Sequence, residues 1–355
     1  MEIKIDLVGE IMKVNASIGT YAGNKFSVQH IADAATTAEK HGYDIISSNE
    51  TGHNPYLPLA IVAEHTSEIS LQTSIALSFS RSPMDTAYLA WDLQNLSNGR
   101  FILGLGTQVR GHIVRRFSMP WSAPAPRTRE YISALKHIWD YWQNGGKLEF
   151  SGDSYSFNLM PPFFNPGPIE FPDIKVSIAA VNPNMLAVAG ELCDGVILHS
   201  FNTIKYTEDV VIPALKKGAS RADRNIEDLS ISGGGFIVAA KDQEDLEVKR
   251  DKTKEQISFY ASTRSYSDVM KVHGWQDTHE KLYRMSIDGE WSKMKFEITD
   301  EMLDKFAVIG TYDEIAKKIL HSYGKFSDSV SFSMDIQSQK DEDTLMQILH
   351  DLKSG

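Results

Sequence analysis

The chain has 355 residues, room for one large domain or two medium ones. Hydrophobic residues make up 42% and charged residues 23%, with no apolar run of about 18 residues, which excludes a disordered chain and a transmembrane helix. Its 36 basic and 47 acidic residues leave a net charge of −11, so nucleic acid and anionic membrane are poor partners.

An anionic ligand would have to be held locally, by helix-start N–H groups or a few arginines. The single Cys193 allows no internal disulfide and no CxxC metal cluster. The opening MEIKIDLVGE reads as a strand and not as a secretory signal, so a cytoplasmic protein is expected.

Ile3, Ile5 and Leu7 alternate as a first strand. Ser27 then caps a helix with Val28, Ile31, Ala35 and Ala38 on its inner face, and Gly42 ends it. Tyr43 to Ser47 forms a second strand, Pro55 to His65 a second helix, and Leu71 to Ser78 a third strand. Ser82-Pro83-Met84-Asp85 supplies a cap, a proline at the first helical position and an acid in the first turn, so a third helix starts there. Asn98-Gly99 stops it. Phe101 to Leu105 is continuously apolar, as a strand covered on both faces should be. Lys175–Ala179, Gly195–Leu198, Leu229–Val238 and Asp328–Ser333 bring the strands to eight.

Eight alternating βα units predict a (β/α)8 TIM barrel, one domain over 1–355, with insertions after strands 4 and 7. An open doubly wound sheet is the alternative. The first insertion, about 106–126 and 145–173, carries MPWSAPAP and MPPFFNPGP. The second, about 260–300, carries FYASTRSY and HGW. Long ordered insertions of this kind are expected to roof a barrel mouth.

The chain has no HExxH, P-loop or GxSxG motif, and the dinucleotide GxGxxG fails where Gly104-Leu-Gly106 runs on to Val109. The histidines show no metal-ligand spacing, so no metal is expected. Barrel chemistry sits after the C-terminal ends of the strands. Those positions hold Asn49, Glu50 and His53, then Ser78 to Arg81, then Gly106, Thr107, Gln108 and His112. Ala180, Val181 and Asn182 follow strand 5, and His199 and Ser200 follow strand 6. Glu50 could serve as acid or base, with His53 and His112 as donors or relays. The structural alternatives are that Asn49 and Asn182 cap the next helices and that Glu50 pairs with a nearby arginine.

AEKHGYDIISSNETGHNPYLPLAIVAEHTSEISLQTSIAL, followed by RSPMDTAYLAWDLQNLSNGRFILGLGT, resembles the bacterial-luciferase-like family of flavin and deazaflavin oxidoreductases. LSNGRFILGLG is the most specific stretch, and KVSIAAVNPNMLAVAGELCDGVILHSF resembles the family's cofactor-phosphate segment. QISFYASTRSYSDVMKVHGW, GEWSKM and DKFAVIGTYDEIAKKI resemble a coenzyme F420-dependent subgroup.

The resemblance implies a cofactor ring across the barrel mouth, near Asn49, Gly106, Thr107, Gln108 and His112. It implies a non-proline cis peptide at Ser74-Ile75 backing that ring. The cofactor phosphate would rest on the N–H groups of Ala180, Val181 and Asn182, and the acidic F420 tail would meet Arg81, Arg110, Arg115 or Arg116. F420-dependent sugar-phosphate dehydrogenases carry Asp-His where this chain has Asn49-Glu50, and Gly-Gly where it has Val181-Asn182. Their catalytic histidine is therefore not carried over.

The first reading is an F420-dependent oxidoreductase passing hydride to or from a small organic substrate, with Glu50 or His53 moving the proton. A reduced-FMN monooxygenase and a non-catalytic flavin-binding protein are the alternatives. The family also implies a homodimer through helices at about 55–66 and 83–97, where Tyr88 and Trp91 add apolar surface. The alternative for Trp91 is packing within its own chain.

Overall fold

The computed structural model describes residues 12–19 and 26–355. Among them eight parallel strands close into a barrel: β1 (Lys13–Ser17), β2 (Ile45–Ser48), β3 (Ser70–Thr73, resumed at Ala76–Leu77), β4 (Phe101–Gly106), β5 (Lys175–Ala180), β6 (Gly195–Leu198), β7 (Ser230–Ser232) and β8 (Ser329–Ser331). The ring closes where Val14 of β1 lies opposite Val330 of β8. Outer helices follow the strands: α1 (Val28–His41), α2 (Tyr56–His65), α3 (Pro83–Leu96), α4 (Pro124–Asn144), α5 (Pro183–Leu192), α6 (Ile212–Arg221), α7 (Ile315–Tyr323) and α8 (Gln339–Ser354). The (β/α)8 expectation holds.

The apolar mass lies between strands and helices. Val14, Ile46, Leu71, Leu103, Val176 and Val196 point outward and are fully buried there. The alternate residues face the barrel axis, where Ile45, Ile102 and Ile197 stand among small and polar residues. Asn15 Nδ2 donates to Ser232 Oγ at 3.3 Å and Ser329 Oγ at 3.4 Å, and Ser329 Oγ donates to Ser232 Oγ at 2.9 Å. Higher up, Gly104 is opposite Ser177, and Ala179 is opposite Ile197. TIM barrels usually fill this space with branched side chains; here Ile197 reaches across to Gly104, where an added Cβ would sit 3.0 Å from its Cδ1.

Local signals at helix ends behave as the residues dictate. Ser27 accepts the His30 N–H, and Gly42 closes α1 at φ 89°. Ser82 accepts the Met84 N–H with Pro83 in the first turn of α3. Val28 is a departure, since it is exposed while Ile31, Ala35 and Ala38 are buried.

Two strand assignments change. The expected strand at Ile3–Leu7 lies outside the described residues, and the first barrel position is taken by Lys13–Ser17. The expected strand Leu229–Val238 is two strands. Gly233 turns the chain at φ 95°, and a Cβ on Gly234 would come within 2.8 Å of the Tyr323 ring. Beyond these glycines Phe236–Ala240 leaves the barrel and pairs in parallel with Ala307–Thr311. The second insertion therefore runs from the end of β7 and carries helices Gln243–Ala261, Gln276–Ile287 and Asp300–Phe306.

The first insertion follows β4 as a short helix, Arg110–Arg115, and continues after α4 as a hairpin in which Phe150 faces Phe157. Its last part covers α3. Trp91 Nε1 donates to the Gly167 carbonyl at 3.2 Å, and Tyr88 OH donates to the Phe164 carbonyl at 2.6 Å. Trp91 is 1% exposed and meets Trp142 edge-on at 5.6 Å. Trp91 and Tyr88 are thus covered by their own chain, so Trp91 is no argument for a second protomer.

Candidate active site

The C-terminal ends of β1 to β6 converge on one mouth. Strand β3 breaks there: the Ser74–Ile75 peptide bond is cis, as the resemblance implied. Thr73 bridges the break to β4, its Oγ1 donating to the Gly104 carbonyl at 2.8 Å and accepting the Gly104 N–H at 2.9 Å. The Ile75 side chain lies against Gly106, where an added Cβ would sit 2.6 Å from Ile75 Cδ1. A Cβ on Gly104 would sit 1.9 Å from the Thr73 carbonyl oxygen. These two glycines let the broken strand and the mouth floor approach each other.

Glu50 follows β2, and both oxygens of its carboxylate are bonded. Arg81 binds both oxygens, Nη1 to Oε2 at 2.7 Å and Nη2 to Oε1 at 2.8 Å, and the Leu77 N–H adds 2.7 Å to Oε2. The pair is buried, with side-chain exposures of 7% for Glu50 and 15% for Arg81. Burial works to lower the Arg81 pKa, but the bond and charge of Glu50 outweigh it and hold the guanidinium above its ordinary range. Such a carboxylate holds its loop in place, with two donors on Oε2 and one on Oε1. Arg81 is likewise taken up and is withdrawn from the tail-binding set. Sequence could suggest an arginine partner, but only the fold selects one 31 residues away.

His53 stands free of that pair. It is exposed and stacked on Phe26, with centroids 3.9 Å apart and planes at 7°. Together with Ser17, Ser48, Asn49 and Gly52 it lines a cavity of about 530 Å³ between the loops after β1 and β2. Asn49 is exposed and accepts the Thr51 hydroxyl at 3.1 Å. It does not cap α2; Asn54 does, accepting the Tyr56 N–H at 2.9 Å.

After β4, Thr107 Oγ1 donates to the Gln108 carbonyl at 3.1 Å, and Gln108 takes a left-handed φ of 59° while its side chain accepts the Val109 N–H. His112 is exposed on the following helix, apart from the Glu50–Arg81 pair. Arg110 and Arg115 are exposed and have no ion-pair partner among the described residues. Arg116 ties the mouth loops together by donating to the Thr51 carbonyl at 2.8 Å.

After β5, Ala180 is buried and Asn182 occupies the N-cap of α5 with no side-chain cap bond. Pro183 at the first helical position has no N–H to satisfy. Tyr206 OH fixes the loop by donating to the Val181 carbonyl at 3.0 Å. Of the N–H groups at the helix start, those of Met185 and Leu186 already donate to the Asn182 carbonyl at 3.0 Å.

After β6, His199 Nδ1 accepts the Phe201 N–H at 2.9 Å. Tyr260 and Tyr266 of the second insertion pack on its ring at 4.5 and 4.9 Å. Their chemical place at the mouth was not evident from FYASTRSY alone, since nothing local says which strand end the insertion folds over. No group of three or more potential metal ligands occurs among the described residues. A second cavity, about 340 Å³, opens at the opposite end of the barrel beside Lys13, Gln72, Ser177 and Ser230, away from the mouth.

A family model described as luciferase-like monooxygenase matches residues 11–328. The chain belongs to this family. It is therefore an oxidoreductase-family barrel, and its relatives carry the same architecture. An uncharacterized protein of Mycobacterium tuberculosis is 45% identical over 285 residues, 80% of this chain and 84% of the relative. The 5,10-methylenetetrahydromethanopterin reductase of Archaeoglobus fulgidus is 25% identical over 313 residues, 83% of this chain and 89% of the relative. Among solved structures, the coenzyme F420 dependent tetrahydromethanopterin reductase of Methanopyrus kandleri superposes with a TM-score of 0.74 at 20% identity, covering 97% of this chain and 98% of that one. Across this luciferase-like chain no helix of the described residues is long and apolar enough to cross a membrane.

Proposed function

We propose that this luciferase-like protein is a coenzyme F420-dependent oxidoreductase acting on a small organic substrate, in the cytoplasm. The observation that carries the reading is the pairing of a small-residue mouth floor, broken by the Ser74–Ile75 bulge, with a helix start that has no side-chain cap. Gly106 and Ala179 keep the floor free of bulky side chains beside Ile75, and the N–H groups of Val181, Asn182 and Asn184 are the ones at the start of α5 that a phosphate could meet. That donor set fits either cofactor of the family. The names of the reductases from Archaeoglobus and Methanopyrus, and the free Arg110 and Arg115 at the rim, favour F420 with its acidic tail.

When bound, the deazaflavin supplies a two-electron hydride donor or acceptor. The chain's own residues do the rest. Ser74 and Ile75 back the ring, with Gly106 beneath Ile75. Asn49, Thr107, Gln108 and His112 edge the cofactor site. Glu50, through Arg81, holds the loop after β2 against the end of β3. His53, exposed beside the cavity after β2, is the group left to exchange a proton with substrate or water.

The second reading, a reduced-FMN monooxygenase, is favoured by the family's own description. Calorimetric titration of the purified protein with F420 and with FMN, each at low and physiological salt, separates them. F420 is expected to bind more tightly, and its affinity to fall as salt screens the rim arginines over roughly 8–10 Å. Tighter binding of FMN at either salt would overturn the proposal in favour of the monooxygenase.

A further inference from the structure

His199 directly follows β6, and its surroundings give it one chemical face. Ile197, two residues earlier, lies opposite Ala179, and an added Cβ on Gly104 would sit 3.0 Å from Ile197 Cδ1. That side of β6 therefore faces the barrel axis, and strand alternation places His199 on the same side, over the mouth. The Phe201 N–H donates to Nδ1 at 2.9 Å, so Nδ1 is an acceptor and the neutral ring carries its hydrogen on Nε2. Nε2 has no hydrogen-bond partner among the described residues, and it is not one of the sealed polar atoms. Burial pushes the ring's pKa down to about 4, so it stays uncharged at neutral pH. The titratable groups packed against it are Tyr260, edge-on at 78°, and Tyr266, tilted at 32°. Burial raises the Tyr266 hydroxyl, so no charge from the insertion offsets the ring's neutrality.

A fixed neutral imidazole with an open N–H, beside two aromatic walls, suits an oxygen that gains negative charge during reaction. We propose that His199 is the substrate-oxygen donor of this site, its Nε2–H bonding the oxygen of a ketone or secondary alcohol whose apolar body rests on Tyr260 and Tyr266. The assignment rests on the oxidoreductase reading above and names its substrate class. In the reducing direction the carbonyl carbon gains a hydride from the reduced deazaflavin. The carbon–oxygen π pair moves to oxygen, and that oxygen takes a proton from water at the open mouth. His199 keeps its own proton throughout and holds the developing oxyanion.

Cyclohexanone, one carbonyl on an apolar ring, is the probe. In cofactor-free protein with ¹⁵N-labelled histidine, His199 is expected as the Nε2–H tautomer with no titration between about pH 5.5 and 8. Cyclohexanone should shift that Nε2–H signal. With reduced F420 supplied, His199→Phe, which keeps a ring against both tyrosines, should lose about 10²–10³-fold in kcat/KM for cyclohexanone. F420 affinity should stay within about twofold, because the lost donor faces substrate. His199→Gln keeps an amide N–H and should lose about tenfold or less; it also serves if the phenylalanine variant does not fold. An Nδ1–H tautomer, a His199 titration near neutrality, no ketone-induced shift, or full turnover in His199→Phe would each overturn the assignment. Absence of F420 turnover in the wild type, with the expected tautomer and ketone shift intact, would instead overturn the F420 reading and leave the donor in place.

Discussion

Replacing Glu50 with glutamine tests whether the carboxylate at the mouth is a clamp or a proton carrier. Its three partners, two guanidinium N–H groups and the Leu77 N–H, lie at 2.7–2.8 Å in a buried setting. Glutamine keeps one acceptor oxygen but turns an NH₂ toward Arg81. At least one charge-assisted bond is lost, at about 1.5–3 kcal/mol, and Arg81 is left as a buried charge without a counter-ion. Together these put the cost near 3 kcal/mol, the lower end of what breaking a buried pair incurs. An unfolding entropy of about 2.1 cal/mol/K per residue gives this chain roughly 0.75 kcal/mol per kelvin, so Tm should fall by about 4 °C. Arg81→Gln should cost a similar amount, and the double variant about as much as either single one. Thermal and urea unfolding of all four proteins would give a coupling of about 2–3 kcal/mol. Additive effects, or a Glu50→Gln protein as stable as wild type but about 10²-fold slower, would refute the clamp and restore Glu50 as the acid or base.

Three further outcomes follow from described contacts. Gly104→Ala should cost about 3 kcal/mol or more and depress soluble yield, because its Cβ would meet backbone; Gly106→Ala meets side chain only, Cδ1 and Cγ1 of Ile75, and should fold while displacing Ile75 and weakening cofactor binding, as calorimetry would show. Glu39 accepts the N–H groups of Ser67, Glu68 and Ile69; burial raises its pKa, but these bonds prevail and leave it below 4.5. Its stabilisation is then present above about pH 4.5 and lost as pH falls through the folded value, so the stability gap between wild type and Glu39→Gln should shrink on acidification, checked by urea melts at several pH values. Leu159, Phe163 and Phe164 are 75%, 90% and 59% exposed, and we expect a homodimer to cover them; Phe163→Asp should then give a monomer by light scattering, and a monomeric wild type would refute this.

Seven of the eight barrel strands begin within two residues of where periodicity places them. The first was missed because KVNAS has only Val14 and Ala16 facing out, while Lys13, Asn15 and Ser17 face a polar axis. An alternation that short is outweighed by the more apolar Ile3, Ile5 and Leu7. The end of β7 was legible in principle, since Gly233-Gly234-Gly235 interrupts the apolar run. The site was less accessible. The partner of Glu50 lies 31 residues away and the cover of Trp91, Gly167, lies 76 residues on, so neither contact can be read locally. His199 could be placed after a strand, but the bond that fixes its tautomer and the rings that flank it come only from folding.

Arg100, in the stretch LSNGRF, explains why that stretch is so recognisable. Its guanidinium donates to the carbonyls of Ser97, Ile69, Thr66 and Ala63 and to the Thr66 hydroxyl, binding the ends of α2 and α3 to the start of β3. Asn98 and Gly99, at φ 51° and 84°, turn the chain so that it can reach. All of this happens at the end of the barrel away from the mouth. The most distinctive words of the sequence are thus carpentry. A lineage can exchange its substrate, its roof of loops or its cofactor and still keep them, so two proteins that share this stretch share a way of being built and need share no reaction.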